Sequence, residues 1–297
     1  MIGAIESPET RVVLDAFRQG LRERGYVEGQ NIVIEYQTAD GRIERFPGLA
    51  TELVRLKVDL IIAANTPAAR AVQQATTTIP IVAPIMGDPV GDGLVASLAR
   101  PGGNITGLSF LGLGLVPKRL ELLKEAVPRI SRVAALWHPG AFGERTTKAM
   151  LKETEAAART LGVQLQLVEV RGPDEFDRAF STMIRERADA LMPFPSAMLY
   201  LQRRRLVDLA AKYRLPSMYN AKEYVELGGL IAYGASITDL YRRSATHVDR
   251  ILMGTKPGDL PVEQATTFVL AINLKTAKAL GLQIPPSLLQ RADEVIE

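Results

Sequence analysis

Short runs of consecutive apolar residues alternate along the whole chain with stretches in which apolar residues recur every three or four positions. The first pattern suits strands buried on both faces, and the second suits amphipathic helices packed on them. A strand is predicted at 2–6 and a helix at 9–24, with Val12, Val13, Ala16, Phe17 and Leu21 on one face and Gly25 as its stop. There follow a strand at 31–36, a helix near 43–56, a strand at 59–63, a helix from Thr66 and a strand at 80–84. Ala99-Arg100-Pro101-Gly102-Gly103-Asn104 is a loop by its Pro and Gly content, and 105–110 reads as a fifth strand.

The pattern restarts after a Gly-rich joint, Leu111-Gly112-Leu113-Gly114. Helices are predicted at 118–126, 146–161, 173–187 and 199–213, and strands at 132–137, 164–170, 190–193 and 216–219. Beyond Tyr233 the order is less regular: a helix at 239–253, a loop at 256–261, a strand at 268–272, and a helix at 274–280 stopped by Gly281. Strand and helix in alternation argue for α/β architecture with parallel sheets. At 297 residues the chain exceeds what one core usually fills, so two such units are expected, with a cleft between them as the ligand site.

The most informative turn is Asp59-Leu-Ile-Ile-Ala-Ala-Asn65-Thr66-Pro67-Ala-Ala-Arg70, a strand that runs into a helix start. Thr66 is a favoured N-cap type and Pro67 suits the first helical position. No carboxylate follows in the first turn, so the helix end is expected to be bare and available to a ligand carboxylate or phosphate. Other polar and aromatic groups collect at strand ends: Ser7 and Asp88 with Asn65 and Thr66 in the first half, and His138, Phe194, Ser196, Asn220 and Tyr233 in the second. Asp88 beside Thr66 could hold the two ends of a zwitterion. Phe142 and Tyr200 read as core or rim.

Composition narrows the chemistry. Hydrophobic residues at 47% with 23% charged residues describe a globular chain, and no run approaches the ~18 apolar residues of a membrane span. A net charge of +3, with Arg and Lys scattered beside Glu and Asp, gives no nucleic-acid footprint. The absence of Cys removes disulfides, thiolate metal sites and cysteine nucleophiles together. No leader pattern precedes the first predicted strand, so either the chain stays in the cytosol or a signal peptide has been removed ahead of Met1.

Catalytic and metal-binding equipment is sparse. The two His residues, His138 and His247, lack metal-site spacing, and His247 reads as a surface residue on an Arg-rich helix. There is no G-x-S-x-G elbow, P-loop or dinucleotide fingerprint after the first strand; Gly112 and Gly114 read as a hinge. The expectation is therefore no catalytic set, no metal and no cofactor. Recognition of a small carboxylate by a non-enzymatic receptor is the leading reading. A ligand-sensing domain of a regulator and a two-lobed enzyme are the alternatives.

Several segments together carry a resemblance: Leu14-Asp15-Ala16-Phe17-Arg18-Gln19-Gly20-Leu21-Arg22-Glu23, Gly25-Tyr26-Val27-Glu28-Gly29, Ala99-Arg100-Pro101-Gly102-Gly103-Asn104-Ile105-Thr106-Gly107, Tyr224-Val225-Glu226-Leu227-Gly228-Gly229-Leu230 and Ile272-Asn273-Leu274-Lys275-Thr276-Ala277. With them the chain resembles, over nearly its whole length, ABC-transporter substrate-binding proteins described as tryptophan/tyrosine transport components. The resemblance implies a type I periplasmic-binding-protein fold, with two open parallel-sheet lobes and a three-segment hinge. The lobes would be 1–110 with 237–267 and 111–236 with 268–297, crossing near 111–115, 234–237 and 267–269. It also implies a periplasmic or other extracytoplasmic monomer that carries a small-molecule ligand, an aromatic amino acid or related acid, to a membrane permease. Asn65-Thr66-Pro67 would be the family's ligand-contacting turn.

Overall fold

A computed structural model describes residues 1–3, 8–40, 42–110 and 114–297, with the backbone alone for residues 8 and 9. Ser7, most of the predicted first strand and Leu111 to Leu113 of the Gly-rich joint lie outside the described residues. The chain divides into two compact units. Unit 1 comprises Met1–Leu111, Phe142–Thr146 and Ile237–Thr266; unit 2 comprises Gly112–Ala141, Thr147–Ser236 and Thr267–Glu297.

Unit 1 opens with α1 (Pro8–Arg22) and continues through α2 (Phe46–Arg55), β1 (Ile61–Ile62), α3 (Thr66–Ala75), β2 (Ile81–Met86) and β3 (Ile105–Ser109). Unit 2 follows with α4 (Val116–Ala126), β4 (Arg132–Trp137), α5 (Glu144–Thr160, whose first turn belongs to unit 1), β5 (Gln164–Glu169), α6 (Phe176–Arg185) and β6 (Ala190–Leu191). It continues through α7 (Ala197–Leu201), α8 (Arg203–Lys212), β7 (Met218–Tyr219), α9 (Glu223–Glu226) and β8 (Ile231–Ala235). The chain returns to unit 1 for α10 (Ile237–Leu252) and β9 (Glu263–Gln264), then completes unit 2 with β10 (Phe268–Asn273), α11 (Leu274–Leu280), α12 (Pro286–Leu289) and β11 (Glu294–Ile296).

In unit 1 the sheet order is β1-β2-β3-β9, all parallel, and Ile2 bridges both Ala63 and Gln37 at its edge. The predicted strand at 31–36 does not form; the chain there is irregular, and Gln37 just after it bridges Ile2. Alternate residues of β2 face opposite layers: Ile81 and Ala83 meet α2 and α3 through Phe46, Leu53, Ala69 and Val72, whereas Val82 meets α1 and α10 through Leu14, Phe17, Tyr241 and Val248. Helices therefore cover both faces, which is why the strands read as unbroken apolar runs.

Pro84 ends the predicted strand, yet β2 continues to Met86. The pairing of β2 with β3 shifts register between Ala83 and Met86, and Pro84 sits in that irregularity. A proline inside a strand paired on both sides is tolerated at such a bulge because the ladder already lacks the bond its nitrogen cannot donate.

Unit 2 carries β5-β4-β6 and β7-β8-β10-β11, with Leu191 and Ser217 joined by an isolated parallel bridge. The expectation of wholly parallel sheets fails at one pair, because β8 and β10 run antiparallel, Phe268 opposite Ala235 and Ile272 opposite Ile231. The predicted helix at 199–213 is two helices broken at Gln202. The predicted α11 has the bounds read from sequence: Asn273 caps it by accepting from the Thr276 N–H at 3.0 Å, and Gly281 ends it in the left-handed region.

His247 contradicts its reading as a surface residue, being 4% exposed. Its Nε2 lies 3.2 Å from the Pro261 carbonyl, which can only accept, so this nitrogen carries the hydrogen. Burial lowers the pKa, and Arg250 and Arg243 act in the same direction, against the raising influence of the Pro261 bond and Glu263. The unfolded chain takes up a proton near pH 6.5 and the folded chain does so only at lower pH, so this contribution to stability is present above 6.5 and falls as pH drops below it. Wild-type protein is expected to lose more Tm between pH 7.5 and 5.5 than His247→Gln; equal losses would remove His247 as the cause.

Candidate functional site

The turn after β1 is built one residue earlier than the sequence suggests. Asn65, not Thr66, is the N-cap of α3; its Oδ1 accepts the Ala68 N–H at 3.0 Å and its carbonyl accepts the Ala69 N–H at 2.9 Å. Pro67 has no N–H, so of the first-turn amides at most that of Thr66 remains. The helix end is therefore not bare, and the expectation of several donors free for a ligand is corrected.

Thr66 works sideways instead. Its hydroxyl accepts the Gly87 N–H at 3.2 Å, while the Ser109 hydroxyl donates to the Gly87 carbonyl at 3.1 Å. Both polar groups of the residue that follows β2 are thus held by hydroxyls from the starts or ends of neighbouring elements. Asp88 is placed by this arrangement, and its Oδ1 accepts the Gly91 N–H at 2.8 Å, closing a tight turn. One oxygen of Asp88 is accordingly spent on its own loop.

Asp92, at the end of that loop, was not marked by the sequence. Its side chain is fully buried, with Oδ1 accepting the Gly143 N–H at 2.8 Å and lying 3.7 Å from an Arg70 Nη2. Burial raises the carboxyl pKa, against the opposing pull of the Gly143 N–H and Arg70. The four groups named for unit 1 thus divide: Asn65, Thr66 and Asp88 gather around Gly87 and its neighbours, and Ser7 lies outside the described residues.

In unit 2, His138 follows β4 directly and is buried, with its carbonyl accepting the Ala141 N–H at 3.2 Å. Phe194 is 2% exposed and lies in the main core with Val133, Met192 and Ile231. Ser196 caps α7, accepting from Leu199 at 3.5 Å. Asn220 follows β7 and is half-buried, as is Tyr233 on β8, whose ring lies 6.3 Å from that of Phe268.

The ends of β7 and β8 approach each other because Gly234 has no side chain. A Cβ there would stand 2.9 Å from the Asn220 carbonyl carbon, with the oxygen nearer still. Beneath them lies Arg119 of α4, 1% exposed, whose Nε donates to the Tyr233 carbonyl at 2.7 Å. Burial lowers its pKa to about 9, so it stays charged at neutral pH. The sequence did carry a signal: Arg119 stands at i+3 from Val116 and four before Leu123, a charge in the apolar stripe of a helix.

A second feature of unit 2 is an aromatic stack. The rings of Tyr219 and Tyr224 lie 4.4 Å apart and nearly parallel; Tyr200 meets Tyr224 edge-on at 6.1 Å, and the Arg203 guanidinium covers Tyr200 at 4.4 Å. Buried Glu223 beside them has its pKa raised by burial. The stack joins the end of β7, which leads to Asn220, to α9 and to α7, which Ser196 caps.

Among the described residues no group of three or more His, Asp or Glu could hold a metal ion, and no helix is long and apolar enough to cross a membrane. What the strand ends offer is hydrogen-bonding groups and aromatic rings, with the buried cations Arg119 and Arg203 behind them, on an α/β scaffold. The fold is that of the type I periplasmic binding proteins. A leucine-binding protein from Thermotoga maritima shares it at 14% identity, with a TM-score of 0.61 over 85% of this chain and 80% of that one.

The chain belongs to the ABC transporter substrate binding protein family, whose model matches residues 1–296. A tyrosine-binding protein of Clostridioides difficile is 28% identical over 281 residues, covering 94% of this chain and 79% of that one. An ABC domain from Streptococcus pneumonia, solved in complex with L-Trp, is 27% identical with a TM-score of 0.89, covering 99% of this chain and 98% of that one. The family is one of extracytoplasmic solute-binding proteins that pass small molecules to ABC permeases, not a family of enzymes.

Proposed function

We propose that this chain is the solute receptor of an ABC importer and that its ligand is a small carboxylate, an aromatic amino acid or a related aromatic acid. The observation that carries the reading is the family match over the whole chain, joined by similar proteins whose names give tyrosine and L-Trp as what they bind. In unit 1, Asn65 and Thr66, with Ser7, are assigned to the ligand's carboxylate and Asp88 to the ammonium group that an amino acid carries beside it. His138, Ser196, Asn220 and Tyr233 are assigned to the ligand from unit 2, whereas Phe194 is read as core. The receptor is assigned to the periplasm or its extracytoplasmic equivalent, as a monomer that serves a membrane permease.

A ligand that binds only the folded state raises stability by mass action, about 2.7 kcal/mol at one hundred times Kd. Thermal melts with L-Trp, L-Tyr, L-Phe and 4-hydroxybenzoate are expected to show a rise of several degrees for at least one, with a matching calorimetric Kd. Leucine and glucose serve as controls. A panel of aromatic amino and organic acids that leaves the melt unmoved sinks the ligand class.

A further inference from the structure

We propose that Arg119 is a positioning residue that makes the site select a ligand bearing a free carboxylate. The inference rests on the reading above that Asn220 and Tyr233 face the ligand. Three observations bring the guanidinium to that place. Its Nε donates to the Tyr233 carbonyl at 2.7 Å, so it fixes the backbone of a residue assigned to the ligand. One of its Nη atoms stands 3.5 Å from the point where a Gly234 side chain would begin, the same point that crowds the Asn220 carbonyl. The side chain is also almost wholly removed from water, at 1% exposure.

A cation held in a poorly screened interior acts on charges several ångströms away far more strongly than a surface cation does. Placed beneath two strand ends, it favours an anionic group above them over a neutral group of the same shape. It does so without touching the ligand, through its charge and through the set of Tyr233 and Asn220. A lysine in its place would keep the charge but offer a point donor in place of a planar fork, and a methionine would keep the apolar stem alone.

The test compares L-tryptophan and L-tyrosine with their carboxamides, which differ in this one charge, on wild-type protein, Arg119→Lys and Arg119→Met. Wild-type protein is expected to prefer each acid over its amide at least tenfold. Arg119→Lys is expected to weaken acid and amide alike and keep most of that preference, and Arg119→Met is expected to bring it within about threefold. Melts without ligand show whether each variant is folded. Wild-type protein that binds acid and amide equally overturns the proposal even if neither variant folds, as does an undiminished preference in folded Arg119→Met. If neither compound binds in either form, the aromatic acid that shifts the melt and its amide take their place, and a protein that no aromatic amino or organic acid stabilises refutes the functional reading itself and this proposal with it.

Discussion

Gly107→Ala is expected to be the most damaging single-methyl change in unit 1. Gly107 lies within β3 with φ +141°, a conformation that L side chains rarely adopt. Its Cβ would lie 2.7 Å from both the nitrogen and the carbonyl carbon of Ala83, with the Ala83 oxygen closer still. These are backbone atoms of the neighbouring strand at the irregularity next to Pro84, and they cannot swing aside as a side chain would. Backbone strain and overpacking each cost roughly 1 to 3 kcal/mol, so a loss of about 3 kcal/mol or more is expected. Against a total stability of about 5 to 15 kcal/mol that is a large share, read as a fall in Tm on the order of 10 °C. Gly103→Ala is the control, since nothing lies within 4 Å of its Cβ position. Equal melting temperatures for the two variants would show that β2 and β3 do not approach as described.

Phe194→Ala is expected to be nearly as costly, for a different reason. The ring is 2% exposed and packs in the core of unit 2, so its removal leaves a cavity and should cost roughly 3 to 5 kcal/mol. Phe194→Leu keeps most of the volume and should cost no more than about 1.5 kcal/mol. Both losses are expected in the melt of ligand-free protein. If Phe194→Ala instead melted like wild type and lost only ligand affinity, the residue would belong to the site and not to the core.

The same residue shows where sequence reading reaches its limit. Phe194 stands between a strand and Pro195, a place where a ligand contact and a core ring look alike, and only burial separates them. Periodicity accumulates over a long helix, and α10 falls where the pattern puts it to within two residues; β4 and α11 are short but marked by an unbroken apolar run and by the Asn273 cap with the Gly281 stop. Short ones such as α9, β9, α12 and β11 are too brief to show a period. Strand direction left no trace either, because β8 and β10 are antiparallel for a reason of connection and not of composition.

In the candidate site the turn at Asn65-Thr66-Pro67 was found, but its cap was misplaced by one residue. Asn and Thr are both good cap types, and the choice was made by Gly87, which engages the Thr66 hydroxyl from another strand. Asp92 was invisible because its partners, Arg70 and Gly143, are distant in sequence. Arg119 could have been found, as a charge in an apolar stripe.

The antiparallel pair also bears on how the chain is made. β8 and β10 flank the segment in which the chain leaves unit 2 for α10 and β9, and the Ser236 N–H donates to the Thr267 carbonyl at 3.3 Å. Everything from α10 to β9 is thus an insertion whose two ends sit a hydrogen bond apart. A ribosome delivers β8 some thirty residues before its β10 partner, and α1 waits more than two hundred residues for α10. Unit 1 cannot close its core before α10 and β9 have emerged, and unit 2 cannot before β10 and β11 have, so the nascent protein remains open for most of its synthesis, and a stop near residue 260 would leave unit 2 without β10 and β11.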